Sequence, residues 1–178
     1  MLLPSLKGSF HLKPETMPKK HRVNFVRSGK SYPNVLGIDP GYGNLGIAVA
    51  AVLPKDKLKP FHVQHFETKA VNKHKRTVRK SSEDFERTKK IMMFYDQLVD
   101  FYKIKLICSE LPHGGARSAS SMKGLAIAAA CVAHLSARGI PVIQLSPADI
   151  KESWTGNKNA TKPEMIKKAV TKFEDLPW

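Results

Sequence analysis

The sequence predicts a mixed α/β fold, a five-stranded sheet with helices on its faces, in the element order β-β-β-α-β-α-β-α. Three observations predict it. Three apolar, strand-like runs follow one another closely between residues 35 and 66. A long segment, about 82–102, then carries apolar residues at helical spacing. Beyond it, apolar runs and helical segments alternate up to residue 173. The 178 residues suit one domain with a tail, and 42% hydrophobic residues supply a real core.

Each element has a local reason. Val35–Asp39 is an apolar run ended by an acid and Pro-Gly, the pattern of a buried strand and turn. Leu45–Leu53 is a second strand, stopped by Pro54. Phe61–Phe66 alternates with period two and reads as a third, half-exposed strand, with His62 and His65 at the surface. The short connections Gly41–Asn44 and Lys55–Pro60 suit antiparallel neighbours. Ser81-Ser82-Glu83-Asp84 offers cap chemistry for the first helix. Phe85, Ile91, Met92, Tyr95, Leu98, Val99 and Tyr102 form its apolar stripe. Ile104–Cys108 is the fourth strand, followed by Glu110-Leu111-Pro112. A Gly/Ser-rich loop, His113–Ser121, leads into helix Lys123–Ala137, whose small apolar residues run all round and predict burial on several sides. Pro141–Leu145 is the fifth strand, Pro147–Trp154 a short helix with Asp149 as a cap, and Pro163–Phe173 the last helix. Met92, Met93 and Trp154 are expected in the core, and Cys108 and Cys131 are expected to be buried thiols in a reducing compartment.

Residues 1–33 stand apart as a basic arm with four prolines, seven Lys/Arg and one acid, Glu15. The domain is expected over 34–178. Thirty Lys+Arg against fifteen Asp+Glu give a net charge of +15, which makes a polyanion, nucleic acid first, the expected partner. No apolar run approaches the ~18 residues of a membrane span, and the N-terminus lacks the pattern of a signal peptide. The expected location is the cytoplasm or nucleoid, or the host-cell cytoplasm for a viral or phage-type chain. Lys69–Lys80 holds six Lys/Arg and no acid. Lys73, Lys75, Arg76, Arg79 and Lys80 are therefore expected to contact DNA phosphates, together with Arg117 in the Gly/Ser-rich loop and Lys123 just after it.

Asp39 and Glu110 each follow a buried apolar run. On parallel neighbouring strands they would meet at one end of the sheet, where open α/β sheets place their ligands. Two such carboxylates repel each other unless a cation lies between them, and their hard oxygens favour Mg²⁺ or Mn²⁺. The alternative is a turn residue and a surface acid. Serines 118, 120 and 121 have no partner base in view, so a serine nucleophile is not expected.

Gly37-Ile38-Asp39-Pro40-Gly41 with Gly46, Glu110 after a strand, and Gly124-Leu125-Ala126-Ile127-Ala128 opening a helix form an ordered set. Ile150-Lys151 with Gly156 and Ala160-Thr161-Lys162 completes it. Over about 35–176 the chain resembles the RuvC family of Holliday-junction resolvases. The resemblance implies an RNase H-like fold and metal-dependent cutting of branched DNA in recombination and repair. It implies Asp39 and Glu110 as ligands of two Mg²⁺ or Mn²⁺ ions, with Lys151 and Lys162 as catalytic lysines near the scissile phosphate. A homodimer is expected because a four-way junction is two-fold symmetric. No nucleotide cofactor and no membrane are expected; G-I-D-x-G also resembles the first phosphate loop of actin-like ATPases, but those folds need two such domains.

Two departures from the family pattern set further expectations. The family draws further acids from a C-terminal D-x-x-D-A helix, which is not found before Trp178. The chain is expected to be cut short there, or Glu174 and Asp175 substitute, or it is an inactive RNase H-like module that binds nucleic acid or a larger assembly. Where the family often has a wedging aromatic, this chain has Pro112-His113-Gly114-Gly115. Either His113 stacks on a base or the glycines close on phosphate.

Overall fold

Alternation along the first strands builds the sheet. In the computed structural model, which describes residues 33–68, 80–110 and 119–176, β1 (Asn34–Asp39) buries Leu36 and Ile38 on one face. It turns Gly37 and Asp39 to the other. β2 (Asn44–Leu53) runs antiparallel to β1 and buries Leu45, Ile47, Val49 and Ala51. A single 3-10 turn, Pro54–Asp56, leads into β3 (Lys57–Glu67), which pairs antiparallel with β2. This strand begins four residues before the expected Phe61. Pro60 does not limit it, because β3 is a margin of the sheet, where a missing N–H is tolerated. A register shift between Val49 and Ala50 absorbs the proline.

β4 (Ile104–Glu110) lies parallel to β1 and to β5 (Val142–Leu145), giving the order β3-β2-β1-β4-β5. The two margins are thus β3, with Lys57, Lys59 and Pro60, and the four-residue β5. Glu110 does not follow β4, as the sequence leads one to expect, but ends it. Its pairing with Leu145 of β5 carries the ladder two residues past Cys108.

Two helices cover the face bearing Leu36, Ile38, Leu45, Ile47, Val49 and Ile107. They are α1 (Lys80–Tyr102) and α2 (Ala119–Ala137). Ile91, Phe94, Tyr95, Leu98 and Val99 of α1 meet Cys131, Val132 and Leu135 of α2 in this core, and Phe94 stacks on Phe66 at 4.3 Å. α1 starts at Lys80, so Ser81 and Ser82 lie within the helix rather than before it. Phe85 is not part of the buried stripe; it is 66% exposed. The stripe continues towards the N-terminus through Arg87, one turn before Ile91, and ends there in polar contacts. α2 begins at Ala119, four residues earlier than expected, and is buried on one side only. Ala128, Cys131, Val132 and Leu135 face inward, while Met122, Ala126, Ala130 and Ala133 are exposed. Alanines on that side favour the helix without being buried within this chain.

The opposite sheet face looks towards α3 (Pro147–Thr155) and α4 (Lys162–Lys172). Ser146 caps α3: its Oγ accepts from the Asp149 N–H at 3.1 Å and donates to Asp149 Oδ2 at 2.6 Å. Asp149 is therefore engaged in capping, as expected. Gly156 ends α3 in the left-handed region, φ 79°, and a Thr161–Glu164 capping box starts α4. Neither helix has a fully buried residue. Trp154 is accordingly not in the core; it stacks on Phe173 at 5.7 Å, with the Lys172 ammonium 4.6 Å above its ring. Met92 packs against the core from a partly buried position. Cys131 is buried and Cys108 half-buried, and burial raises both thiol pKa values, Cys131 to about 11. His62 is half-buried against Tyr102 and bonded to Gln64 rather than on the surface, whereas His65 is exposed. Among the described residues no helix is long and apolar enough to cross a membrane.

Candidate active site

Asp39 and Glu110 are the last residues of two parallel neighbours. β1 pairs with β4 through Gly37↔Cys108 and Ile38↔Ser109, so the next step along both strands brings the two acids side by side. Since Ile38 and Ser109 are buried in the core face, alternation turns both acids to the opposite face. Asp39 has room because its cross-strand neighbour is Gly46, where an added Cβ would lie 3.4 Å from the Asp39 Cβ. The same face forms a cavity of about 530 Å³, walled by Gly37, Asp39, Gly46 and Ala48 and closed by Trp154, Ala169 and Phe173.

Partial burial raises the Glu110 pKa above the ordinary carboxylate value. The negative charge of Asp39 adds to the rise, and Lys151 of α3 opposes it. Three of the expected residues are thus linked through Glu110, which the charge of Asp39 opposes and that of Lys151 favours. Lys162 opens α4 as an exposed residue, on the helix whose Ala169 lines the Asp39 cavity. Glu174 and Asp175 lie exposed in the turn after α4. Among the described residues no three His, Cys, Asp or Glu side chains gather as a metal cluster, so this pair does not join Asp39 and Glu110.

The donor set fits a hard divalent cation. Two adjacent carboxylates, one with its pKa held up first by burial and then by the charge of the other, are what such an ion neutralises, and Mg²⁺ commonly takes one or two carboxylates and keeps its waters. The linkage has a defined sign. A carboxyl with a raised folded-state pKa holds its proton more tightly when folded, so stability is lost as pH rises through that pKa. Glu110→Gln should therefore melt higher than the parent chain at pH 7 in a chelator, by about 1–3 °C after allowing for solvent screening. The advantage should vanish on acidification below the ordinary glutamate value of about 4.3. Thermal melts of both chains across pH check it.

The other expected residues divide. Lys123 is ion-paired with Asp84 of α1, which places its charge in a contact within the fold. Lys80 opens α1. Lys73, Lys75, Arg76, Arg79, His113 and Arg117, like the arm 1–33, lie outside the described residues.

Sequence reasoning misses a polar cluster behind the Asp39 turn. Tyr42 donates to Asp84 Oδ1 at 2.9 Å, and Thr68 Oγ1 donates to the Tyr42 carbonyl at 2.6 Å. The Arg87 guanidinium lies 4.1 Å over the Tyr42 ring. Burial and the bond to Asp84 push the Tyr42 pKa up to about 12. Lys123 holds the Asp84 carboxyl below its usual range. One signal is present in the sequence: Arg87 is a cation on the helical stripe of Ile91, Phe94 and Leu98.

A crossover junction endodeoxyribonuclease RuvC from Christiangramia forsetii is 34% identical over 139 residues, 78% of this chain and 66% of that protein. The chain belongs to the RuvC family. It spans about two thirds, 66%, of the length of that curated relative. Among solved structures, Thermus thermophilus RuvC in complex with a Holliday junction substrate superposes with TM-score 0.62 at 21% identity, over 79% of each chain. The yeast mitochondrial Holliday junction resolvase Ydc2 does so with TM-score 0.55 at 17% identity, over 83% of this chain and 65% of its own. These likenesses match the expected RNase H-like sheet and its RuvC topology. No protein-family model matches the chain. RuvC-like nucleases are generally divalent-metal dependent, in keeping with the paired acids.

Proposed function

We propose that this chain is a structure-specific endodeoxyribonuclease. It would cut four-way or other branched DNA junctions by divalent-metal-dependent phosphodiester hydrolysis, in recombination and repair. The observation that carries this reading is the side-by-side placement of Asp39 and Glu110 at the ends of parallel strands, with Lys151 coupled to Glu110. Family membership and the net charge of +15 support it.

Asp39 and Glu110 would hold Mg²⁺ or Mn²⁺. A second ion, which the resemblance implies, would draw its remaining donors from water and phosphate. When bound, the cation supplies Lewis acidity, making water more acidic and stabilising charge on the phosphate oxygens. The chain's own residues do the rest. Asp39 and Glu110 fix the point at which the phosphate is held, on strands that the core keeps rigid. Lys151, whose charge acts on Glu110, would neutralise charge developing on the phosphate, and Lys162 would serve the same end from α4. His113 and Arg117 of the Gly/Ser-rich loop and the basic segment would hold the DNA arms. A homodimer would match the two-fold symmetry of the junction. The basic arm 1–33 would add sequence-independent affinity to the nuclease domain 34–178. We place this activity in the cytoplasm or nucleoid.

Cutting of a labelled four-way junction with Mg²⁺, with linear duplex and EDTA as controls, tests the reading. Junction-selective, EDTA-sensitive cleavage is expected. Tight junction binding without cleavage in either Mg²⁺ or Mn²⁺ would overturn it. A separate test addresses the charges. Neutralising Lys73, Lys75, Arg76, Arg79 and Lys80 together should flatten the dependence of log K on log salt by about 0.9 for each phosphate that the segment no longer neutralises. An unaltered slope in binding titrations from low to moderate salt would return this segment to the role of a solvated face.

A further inference from the structure

The turn that carries Asp39 into β2 is gripped from behind by one arginine. Arg87 Nη2 donates to the Thr68 carbonyl at 3.0 Å and to Thr68 Oγ1 at 3.2 Å, and reaches the Tyr42 carbonyl at 3.5 Å. Its Nε also points at Thr68 Oγ1, at 3.4 Å. Thr68 is buried, and it ties itself to the turn twice. Its N–H donates to the Gly43 carbonyl at 3.0 Å, and its hydroxyl donates to the Tyr42 carbonyl at 2.6 Å. A hydroxyl has one proton. With that proton on Tyr42, Thr68 Oγ1 can only accept from Arg87, so the guanidinium fixes the direction of the bond that holds the turn. The Tyr42 ring lies beneath the same guanidinium and close to Gly124 of α2.

Only Pro40 and Gly41 separate Asp39 from Tyr42, along a turn with no slack. The Gly41 N–H bonds the Asp39 carbonyl at 3.0 Å, and Gly41 packs so closely on the Asn44 carbonyl that no Cβ would fit between them. A shift of Tyr42 therefore passes to Asp39. Ligand sites tolerate displacements of only about 0.5 Å before function suffers.

We infer that Arg87 is a positioning residue for the Asp39 carboxylate, acting through Tyr42 and Thr68. The inference rests on the reading of Asp39 and Glu110 as cation ligands. A planar five-donor fork is needed, because one group must bond two carbonyls and a hydroxyl while lying flat on a ring; an ammonium cannot do all of these.

The test uses the full chain with Arg87→Gln, Arg87→Lys, Thr68→Val and Asp39→Asn, and Mn²⁺ as the probe. Mn²⁺ binding without DNA is titrated by electron paramagnetic resonance. Junction affinity in EDTA and thermal melts accompany it. Asp39→Asn should remove the Mn²⁺ site. Arg87→Gln should weaken Mn²⁺ binding about tenfold or more, in the range of outer-shell partners of metal ligands, with junction affinity within about twofold. Arg87→Lys should recover only part of the loss, and Thr68→Val should show a smaller loss of the same sign. Should Arg87→Gln fail to fold, Thr68→Val and Arg87→Lys decide. Parental Mn²⁺ affinity in the folded variants, in a chain whose site is lost in Asp39→Asn, overturns the positioning role alone. Mn²⁺ binding that survives Asp39→Asn overturns the metal reading and the positioning role together.

Discussion

Asp39→Asn and Glu110→Gln should each lower the rate of junction cleavage by on the order of 10³-fold or more, while junction binding holds or tightens. The reason is local. Each change removes one of two adjacent carboxylates, so the proposed cation would lose a charged donor at the point where phosphate charge must be offset. The same change removes a negative charge that would face the DNA backbone in this reading, so affinity in the absence of metal has cause to rise. Single-turnover cleavage with saturating enzyme, beside binding in EDTA, separates the two effects. Parental cutting by either variant would show that another group holds the cation. Because Asp39 and Glu110 lie on the face opposite the core, neither variant should melt far below the parent chain.

Gly41→Ala should be the most damaging change to the fold near the site. A Cβ at Gly41 would sit 1.9 Å from the Asn44 carbonyl oxygen and 2.9 Å from its carbon. Both are backbone atoms of β2, so no side chain can swing aside. The turn must open, the Gly41–Asp39 bond must stretch, and the β1–β2 pairing beside it must shift. A cost of about 2–4 kcal/mol is expected, the range of backbone strain with partial loss of a hydrogen-bonded turn. Urea unfolding would read it as a lowered midpoint. Gly46→Ala is a useful control, since its nearest neighbour, at 3.4 Å, is the Asp39 side chain. It should perturb metal binding more than stability.

How much of this is legible in the sequence follows from which forces leave a local trace. Asp39 and Glu110 are legible because each ends an apolar run, and such runs mark buried strands. Their adjacency is not, since it depends on β1 and β4 being parallel neighbours, and nothing in the spacing between them encodes that. The sequence misplaces the end of β4 because Ser109 and Glu110 are polar; Ser109 is nonetheless fully buried, and β5 supplies the pairing that keeps the strand extended. Lys151 is visible only through the family pattern. The differences at Phe85 and α2 share one cause: apolar residues at helical spacing show that a helix can bury a face, not how far the neighbouring layer extends. Arg87, Thr68 and Tyr42 come from three separate elements, and polar residues that meet across a fold leave no periodicity.

The margins of the sheet have a consequence for the chain among its copies. A bare strand edge is a template on which another polypeptide can extend the hydrogen-bond ladder, the first step towards fibrils. Here one edge carries Pro60, which offers no N–H, beside Lys57 and Lys59, whose like charges repel an incoming copy. The other edge is only four residues long, too short to seed durable pairing. Copies of this protein crowded together on a polyanion are therefore poorly placed to coalesce through their strands.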